Sequence, residues 1–178
     1  MPRSIVLKRL RPFLVLVLGL VVPAAALAED AWQEVRIDGA GFAVSMPPGD
    51  LKTLDRPPKD DDEGTHLAYV TAGETMYFAA CIQFKPGTIG PLNAFFLLEG
   101  AHLTAEDPGD KLRSERRFEF DGHEAREAIV DTGGGDTNTL RAYVVGDRLL
   151  ATMVLGPKGS DAGAATKRFQ ESFRLLPK

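Results

Sequence analysis

The residues with most apparent chemistry form the run Ala128-Ile129-Val130-Asp131-Thr132-Gly133, two apolar positions followed by Asp-Thr-Gly. That order marks aspartic proteases, and Met153-Val154-Leu155-Gly156 has the apolar-apolar-glycine character of a segment that braces such a site. The chemistry needs two carboxylates close enough to share one proton, because adjacent like charges split the two acidities. One Asp-Thr-Gly per chain would therefore require a dimer. Asp131 is the catalytic candidate on this reading, an Asp131-centred hydrolase acting as a dimer. Spacing argues against it: 22 residues lie between Gly133 and Gly156, and a tight hairpin fills them, leaving no room for a flap and return strand. A motif of this kind counts only in its expected structural context.

A second cluster is the acid run Asp60, Asp61, Asp62 and Glu63 with His66 nearby, which together are the candidate metal ligands. Calcium accepts clustered carboxylate oxygens, but the run lacks alternate spacing and the glycine-then-glutamate pattern of a calcium loop. A solvated, irregular loop over Asp50 to Gly64, with no metal, is the expectation. Ser45, Ser114, Ser160 and Ser172 stand in no nucleophile elbow, and no glycine-rich phosphate loop precedes a helix. His66, His102 and His123 are dispersed. No cofactor is implied. Tyr77, Phe95, Phe96 and Tyr143 are the aromatic candidates for contacting a ligand or partner, against the commoner use of such side chains in a core.

The elements that must position these residues follow from periodicity. Residues 1–28 read as a cleaved secretory signal: Arg3, Lys8, Arg9 and Arg11 are basic, Phe13 to Val22 is an apolar run, and Ala26-Leu27-Ala28 is a cleavage site. The apolar run is shorter than the ~20 residues of an ordinary membrane span, so no integral anchor is expected after cleavage. Residues 29–178 form one domain, exported to the periplasm or secreted. Of the 21 basic residues, four lie in the leader, which leaves 17 against 25 acids and a mature charge near −8. Such a chain is a poor nucleic-acid binder. Cys81 is the single cysteine, in a strongly β-like run where burial is expected.

Four hairpins and two helices emerge. Trp32 to Ile37 and Phe42 to Met46 alternate around Asp38 to Gly41, and Pro47-Pro48-Gly49 ends that pair. His66 to Thr71 and Met76 to Phe84 join across Gly73-Glu74. The second of these is apolar on both sides, which predicts a central strand covered on both faces. Pro91 opens a helix with Leu92, Phe95, Phe96 and Leu103 on its buried side, and Gly100 suggests a close approach to the sheet. Lys111 to Phe120 and His123 to Asp131 turn on Asp121-Gly122, with Phe120 facing His123, Phe118 facing Ala125 and Arg116 facing Glu127. That register sets Arg117 opposite Arg126 and Glu119 opposite Glu124, an unfavourable arrangement. The last hairpin, around Gly146-Asp147, is followed by a helix capped at Ser160 or Asp161 with Ala165, Phe169 and Phe173 on its apolar side.

In this order Gly41-Phe42-Ala43-Val44-Ser45-Met46-Pro47, Phe120-Asp121-Gly122-His123-Glu124-Ala125, Arg141 to Leu150 and Arg168-Phe169-Gln170-Glu171-Ser172-Phe173 carry a resemblance. The chain resembles the PsbP-like group (PsbP/Mog-type fold) of small exported or lumenal proteins. The resemblance implies an α+β fold, a mostly antiparallel sheet of six to eight strands packed with two helices as an α/β/α sandwich. It brings no catalytic residue with it. The function expected is a non-enzymatic binding or accessory module for a protein partner or small ligand.

Overall fold

The computed structural model describes residues 32–37, 39–58, 62–103 and 109–177. The segment read as a signal, residues 1–28, lies outside the described residues, as do Asp60 and Asp61.

Two antiparallel sheets carry the fold. The larger has seven strands in the order β3-β4-β5-β9-β8-β7-β6, where β3 is Lys52–Arg56, β4 Asp62–Ala72, β5 Thr75–Phe84, β6 Lys111–Phe120, β7 His123–Asp131, β8 Asp136–Val144 and β9 Arg148–Pro157. The smaller pairs β1, Gln33–Arg36, and the terminal β10, Arg174–Leu175, on either side of β2, Phe42–Met46. Helix α1 spans Pro91–Leu103 and α2 spans Ala164–Glu171. This is an α+β architecture, as the periodicity and the resemblance imply, with the first hairpin split off into a sheet of its own.

The hairpin registers follow the turn chemistry. Asp121 and Gly122 both have positive φ, 50° and 77°, the backbone that a two-residue turn needs to match strand twist. That turn fixes Phe120↔His123, Phe118↔Ala125 and Arg116↔Glu127 as expected. One residue of β6 bulges between Leu112 and Ser114, which re-aims Arg113.

One face of the large sheet meets α2 and the small sheet. Phe42, Val44 and Met46 of β2, Val70, Tyr77, Ala79, Cys81, Tyr143, Leu150 and Val154 of the large sheet, and Phe169 and Phe173 share this core. Tyr143 stacks on Phe173 with ring centroids 4.1 Å apart and planes 5° apart, and Tyr77 meets Phe169 edge-on at 5.4 Å. Burial pushes the Cys81 thiol up to about 11, so it stays protonated and inert. On the other face, Ala94 and Leu98 of α1 pack on Ala142 and Val144 of β8, with Leu149 of β9 alongside.

Several expectations are corrected. Asp50 to Gly64 is not wholly irregular: β3 pairs with β4 from Lys52↔Tyr69 to Arg56↔Thr65. Its pattern is hidden because every one of its residues is exposed. The second helix begins at Ala164 after a 3-10 turn over Ser160–Ala162, with Gly163 at its N-cap. Ala165 is exposed, and the buried side consists of Thr166, Phe169 and Gln170; Phe173 is buried beyond the helix end. Gln170 is tolerated there because Thr152 Oγ1 donates to its Oε1 at 2.5 Å. In α1, Phe95 is 41% exposed while Ala94 and Leu98 face the sheet. No described residue comes within contact distance of a side chain placed at Gly100.

Phe169 is fully buried between the two sheets, so Phe169→Ala should cost about 3–5 kcal/mol through lost burial and the cavity left behind. Ala165→Ser on the exposed side of the same helix should stay within about 0.5 kcal/mol. Urea denaturation of both variants checks the contrast.

Candidate functional site

Strand β5 is interior to the sheet, yet its two faces differ. Tyr77, Ala79 and Cys81 are buried, whereas Met76, Phe78, Ala80, Ile82 and Phe84 are only half-buried, which corrects the expectation of cover on both faces. The registers extend this second face across its neighbours: Leu67 and Tyr69 of β4 stand beside Ala80 and Phe78, Leu54 of β3 beside Leu67, and Met153 and Leu155 of β9 beside Phe78 and Met76. Helix α1 packs over β7 and β8 instead. What remains is a broad apolar floor on β3, β4, β5 and β9, whose side chains belong to neither buried core.

The floor has order in it. Tyr69 and Phe78 stack at 5.7 Å with planes 26° apart, and Leu54 is 60% exposed at the outer strand. Lys52 and Arg56 flank Leu54 on the same face, since alternate residues of a strand share a side. Arg56 Nε and Nη2 donate to Thr65 Oγ1 of the adjacent strand at 3.2 and 2.8 Å, which holds its guanidinium against the end of the floor.

The other candidates lie elsewhere. Tyr77 and Tyr143 are core residues, 4% and 1% exposed, the commoner use of such side chains. Both phenols are pushed up chiefly by burial. Phe95 lies beneath the guanidinium of Arg117, 4.3 Å from its carbon to the ring centroid. The side chains of Phe96 and Asp62 lie outside the described residues, and Glu63 is exposed. His66 Nδ1 meets Asp55 Oδ1 at 2.8 Å on the opposite side of the outer strands from the apolar floor. Among the described residues no three His, Cys, Asp or Glu side chains converge as a metal site.

Asp131 is held differently from a proton-sharing carboxylate. Thr137 Oγ1 donates to its Oδ1 at 3.2 Å, and Arg113 Nη1 lies 3.6 Å away while its Nη2 reaches Asp161 at 2.7 Å. Arg113, turned by the bulge in β6, thus ties the 3-10 turn to the sheet edge. Each of the two aspartates faces a shared cation. Beside them a shallow cleft of about 200 Å³ runs between α2 and the sheet, lined by Thr139, Arg141, Lys167 and Glu171 among others. A second, of about 260 Å³, lies by Leu98, Arg117 and Phe118. Both fall below the roughly 300–1,000 Å³ typical of small-molecule pockets.

Ion pairs near α1 settle the awkward register of β6 and β7. Arg117 does stand opposite Arg126. The helix supplies the counter-ion that local sequence could not reveal: Glu99 accepts from Arg117 and lies 2.6 Å from Arg126, which also pairs with Glu115. Arg126 is 3% exposed, so its charge depends on those partners. On the other face Glu127 lies between Arg116 and Arg141.

No family profile and no curated protein matches this sequence. By structure the chain is similar to cyanobacterial PsbP (CyanoP) from Synechocystis sp. PCC 6803, with a TM-score of 0.57 and 8% identity over 82% of this chain and 93% of that one. It is also similar to a putative regulator of unknown function from Pseudomonas aeruginosa (TM-score 0.42, 13% identity, 83% and 97% covered) and to the Saccharomyces cerevisiae Ran-binding protein Mog1p (TM-score 0.42, 11% identity, 82% and 95% covered). The fold is PsbP-like.

Acid should undo the ion network. Hydrogen bonds from Arg126, aided by Arg117, lower the Glu99 carboxyl from its ordinary value of 4.5, and Arg174 and Arg36 do the same for Glu34. Burial raises the Glu127 carboxyl, but Arg116 and Arg141 outweigh it and the net direction is down. Groups whose folded acidity is depressed contribute fully above the unfolded value and lose that contribution as pH falls through the folded one. Stability should therefore decline as pH drops below about 4.5. Glu99→Gln should lower stability at neutral pH and flatten that decline, as read by urea midpoints across pH 2–7.

Proposed function

We propose that the protein is a non-enzymatic binding or accessory module, exported with its leader removed after Ala28, which receives a protein partner on the open half of the large sheet. The observation that carries this reading is the continuous floor of partly buried Leu67, Tyr69, Phe78, Met153 and Leu155, edged by the exposed Leu54. Apolar surface of this breadth on one face is how partner sites differ from isolated exposed side chains. Its composition fits the same use: aromatic residues and methionine are enriched at interface centres, and charge is depleted there.

A flat apolar floor can bury a large partner surface, whereas the two clefts described above are small for a small-molecule site. Among the described residues no helix is long and apolar enough to cross a membrane. With the leader removed the chain is strongly acidic, which opposes docking on anionic lipid.

A photo-crosslinking residue placed at Leu54 in the native host should give one discrete adduct whose mass includes a mature chain beginning at Glu29. The same residue at Lys167, exposed on the opposite side, should give none. Equal labelling from both positions, or an adduct containing the intact leader, would contradict the proposal.

A further inference from the structure

We propose that helix α1 is a latched lid: hinged at Gly90 and held at Glu99, it lifts from β7 and β8 without the sheet unfolding, and so enlarges the apolar floor. The motion follows from the contacts of α1; only its use rests on the reading of the floor as a partner site.

The two ends of α1 are fastened differently. The chain just before the helix is tied to the β8–β9 turn, where Ile89 N donates to Asp147 Oδ1 at 3.3 Å and Gln83 Nε2 donates to the Asp147 carbonyl at 3.1 Å. Asn93 Nδ2 donates back to Thr88 O at 2.8 Å. Gly90, with open space where a side chain would stand, joins this anchored stretch to Pro91. Further along, the fastening is Glu99, which accepts from Arg117 of β6 and lies 2.6 Å from Arg126 of β7.

Between these points the apolar grip is small. Among the described side chains, the buried ones of α1 are Ala94 and Leu98, set on Ala142 and Val144, with Leu97 partly buried. Gly100 weakens the helix about fivefold relative to alanine. No close approach requires glycine there, since an added Cβ meets nothing within 4 Å. The cleft of about 260 Å³ beside Leu98 and Arg117 leaves room around the latch. A segment with few buried apolar contacts opens at lower free energy than the strands beneath it.

The latch is charged, which makes it separable from the core. Arg126 is 3% exposed and is held by Glu99 from the helix and by Glu115 from β6. When α1 lifts, Arg126 loses one carboxylate, keeps the other and gains water, so the lifted state contains no unpaired buried charge. Ala142 stands beside Ala151 of β9, and Val144 beside Leu149. Once uncovered, they carry the apolar face from β8 across β9 to the Tyr69–Phe78 stack.

Thiol labelling of the purified protein tests this, with Cys81 as internal reference because it is buried in the core on the opposite face. In Ala142→Cys the introduced thiol lies under α1. It should react with a disulfide reagent at least about tenfold faster than Cys81, at a rate that low urea leaves unchanged, since a local opening exposes little surface. Glu99→Gln should speed that reaction about tenfold or more, the size expected for lost hydrogen bonds between charged groups. Phe169→Leu, in the other core, should speed Cys81 alone. Amide exchange of α1 against β5 and β9 in the unmutated protein makes the same comparison without relying on the folding of Ala142→Cys. Equal rates and equal urea dependence for the two thiols, or α1 amides that exchange only together with those of β5 and β9, would overturn the lid, because α1 would then leave only on global unfolding. The crosslink from Leu54 tests the floor separately, and its failure would leave the lid standing.

Discussion

The stacking of Tyr143 on Phe173 is the contact on which the rest of the structure depends. Phe173 lies just past the end of α2, immediately before β10, so one ring fixes three things. It sets the tilt of the last helix and brings the C-terminal strand to β2, where Arg174 pairs with Ala43. It also closes the small sheet over the large one through Phe42, 5.1 Å away. Phe118 and Phe120 of the outer hairpin meet Tyr143 edge-on, and Phe120 also reaches Phe173, 5.3 Å away. Aromatic packing of this kind adds to area burial only at particular angles, so the cluster fixes orientation as well as stability.

From that constraint follows the asymmetry of the large sheet. Among the described residues, the material able to cover a face, namely the small sheet, the 13-residue α1 and the eight-residue α2, is spent unequally. One face receives both the small sheet and α2, and the other receives α1 alone. A single helix covers about two strands, so the rest of that face keeps apolar side chains at the surface. The ion pairs of Glu99 explain why α1 stays where it is: sliding it toward β5 would leave Arg126 buried without its helix partner. The floor is open because the helix that could cover it is held elsewhere.

Much of this was legible in the sequence, and for local reasons. Asp121-Gly122 fixed a register residue by residue because both positions must adopt positive φ. The alternation of Met76 to Phe84 correctly marked a strand apolar on both sides. Whether both sides are covered depends on where helices dock, a tertiary fact absent from the strand. Lys52–Arg56 escaped notice because an exposed edge strand needs no apolar alternation. The burial of Gln170 was invisible without its partner Thr152, and Ala165 misled because four-residue spacing continued through Phe173 after the helix had ended. The partner surface itself left a trace in the apolar residues of β4, β5 and β9, but only pairing assembled them. Asp131-Thr132-Gly133 had the right letters for a protease, whereas the bulge at Arg113 gives its aspartate a cation as neighbour.

The central claim is that one half of one sheet face is open in the free protein, and methionine reactivity tests it most directly. Met76 and Met153 are half-buried on that floor, and Met46 is fully buried in the opposite core. Under mild peroxide, with sites resolved by mass spectrometry, Met76 and Met153 should convert to the sulfoxide well before Met46. Equal protection of all three would mean that the floor is covered, and the account of it as a partner surface would be wrong.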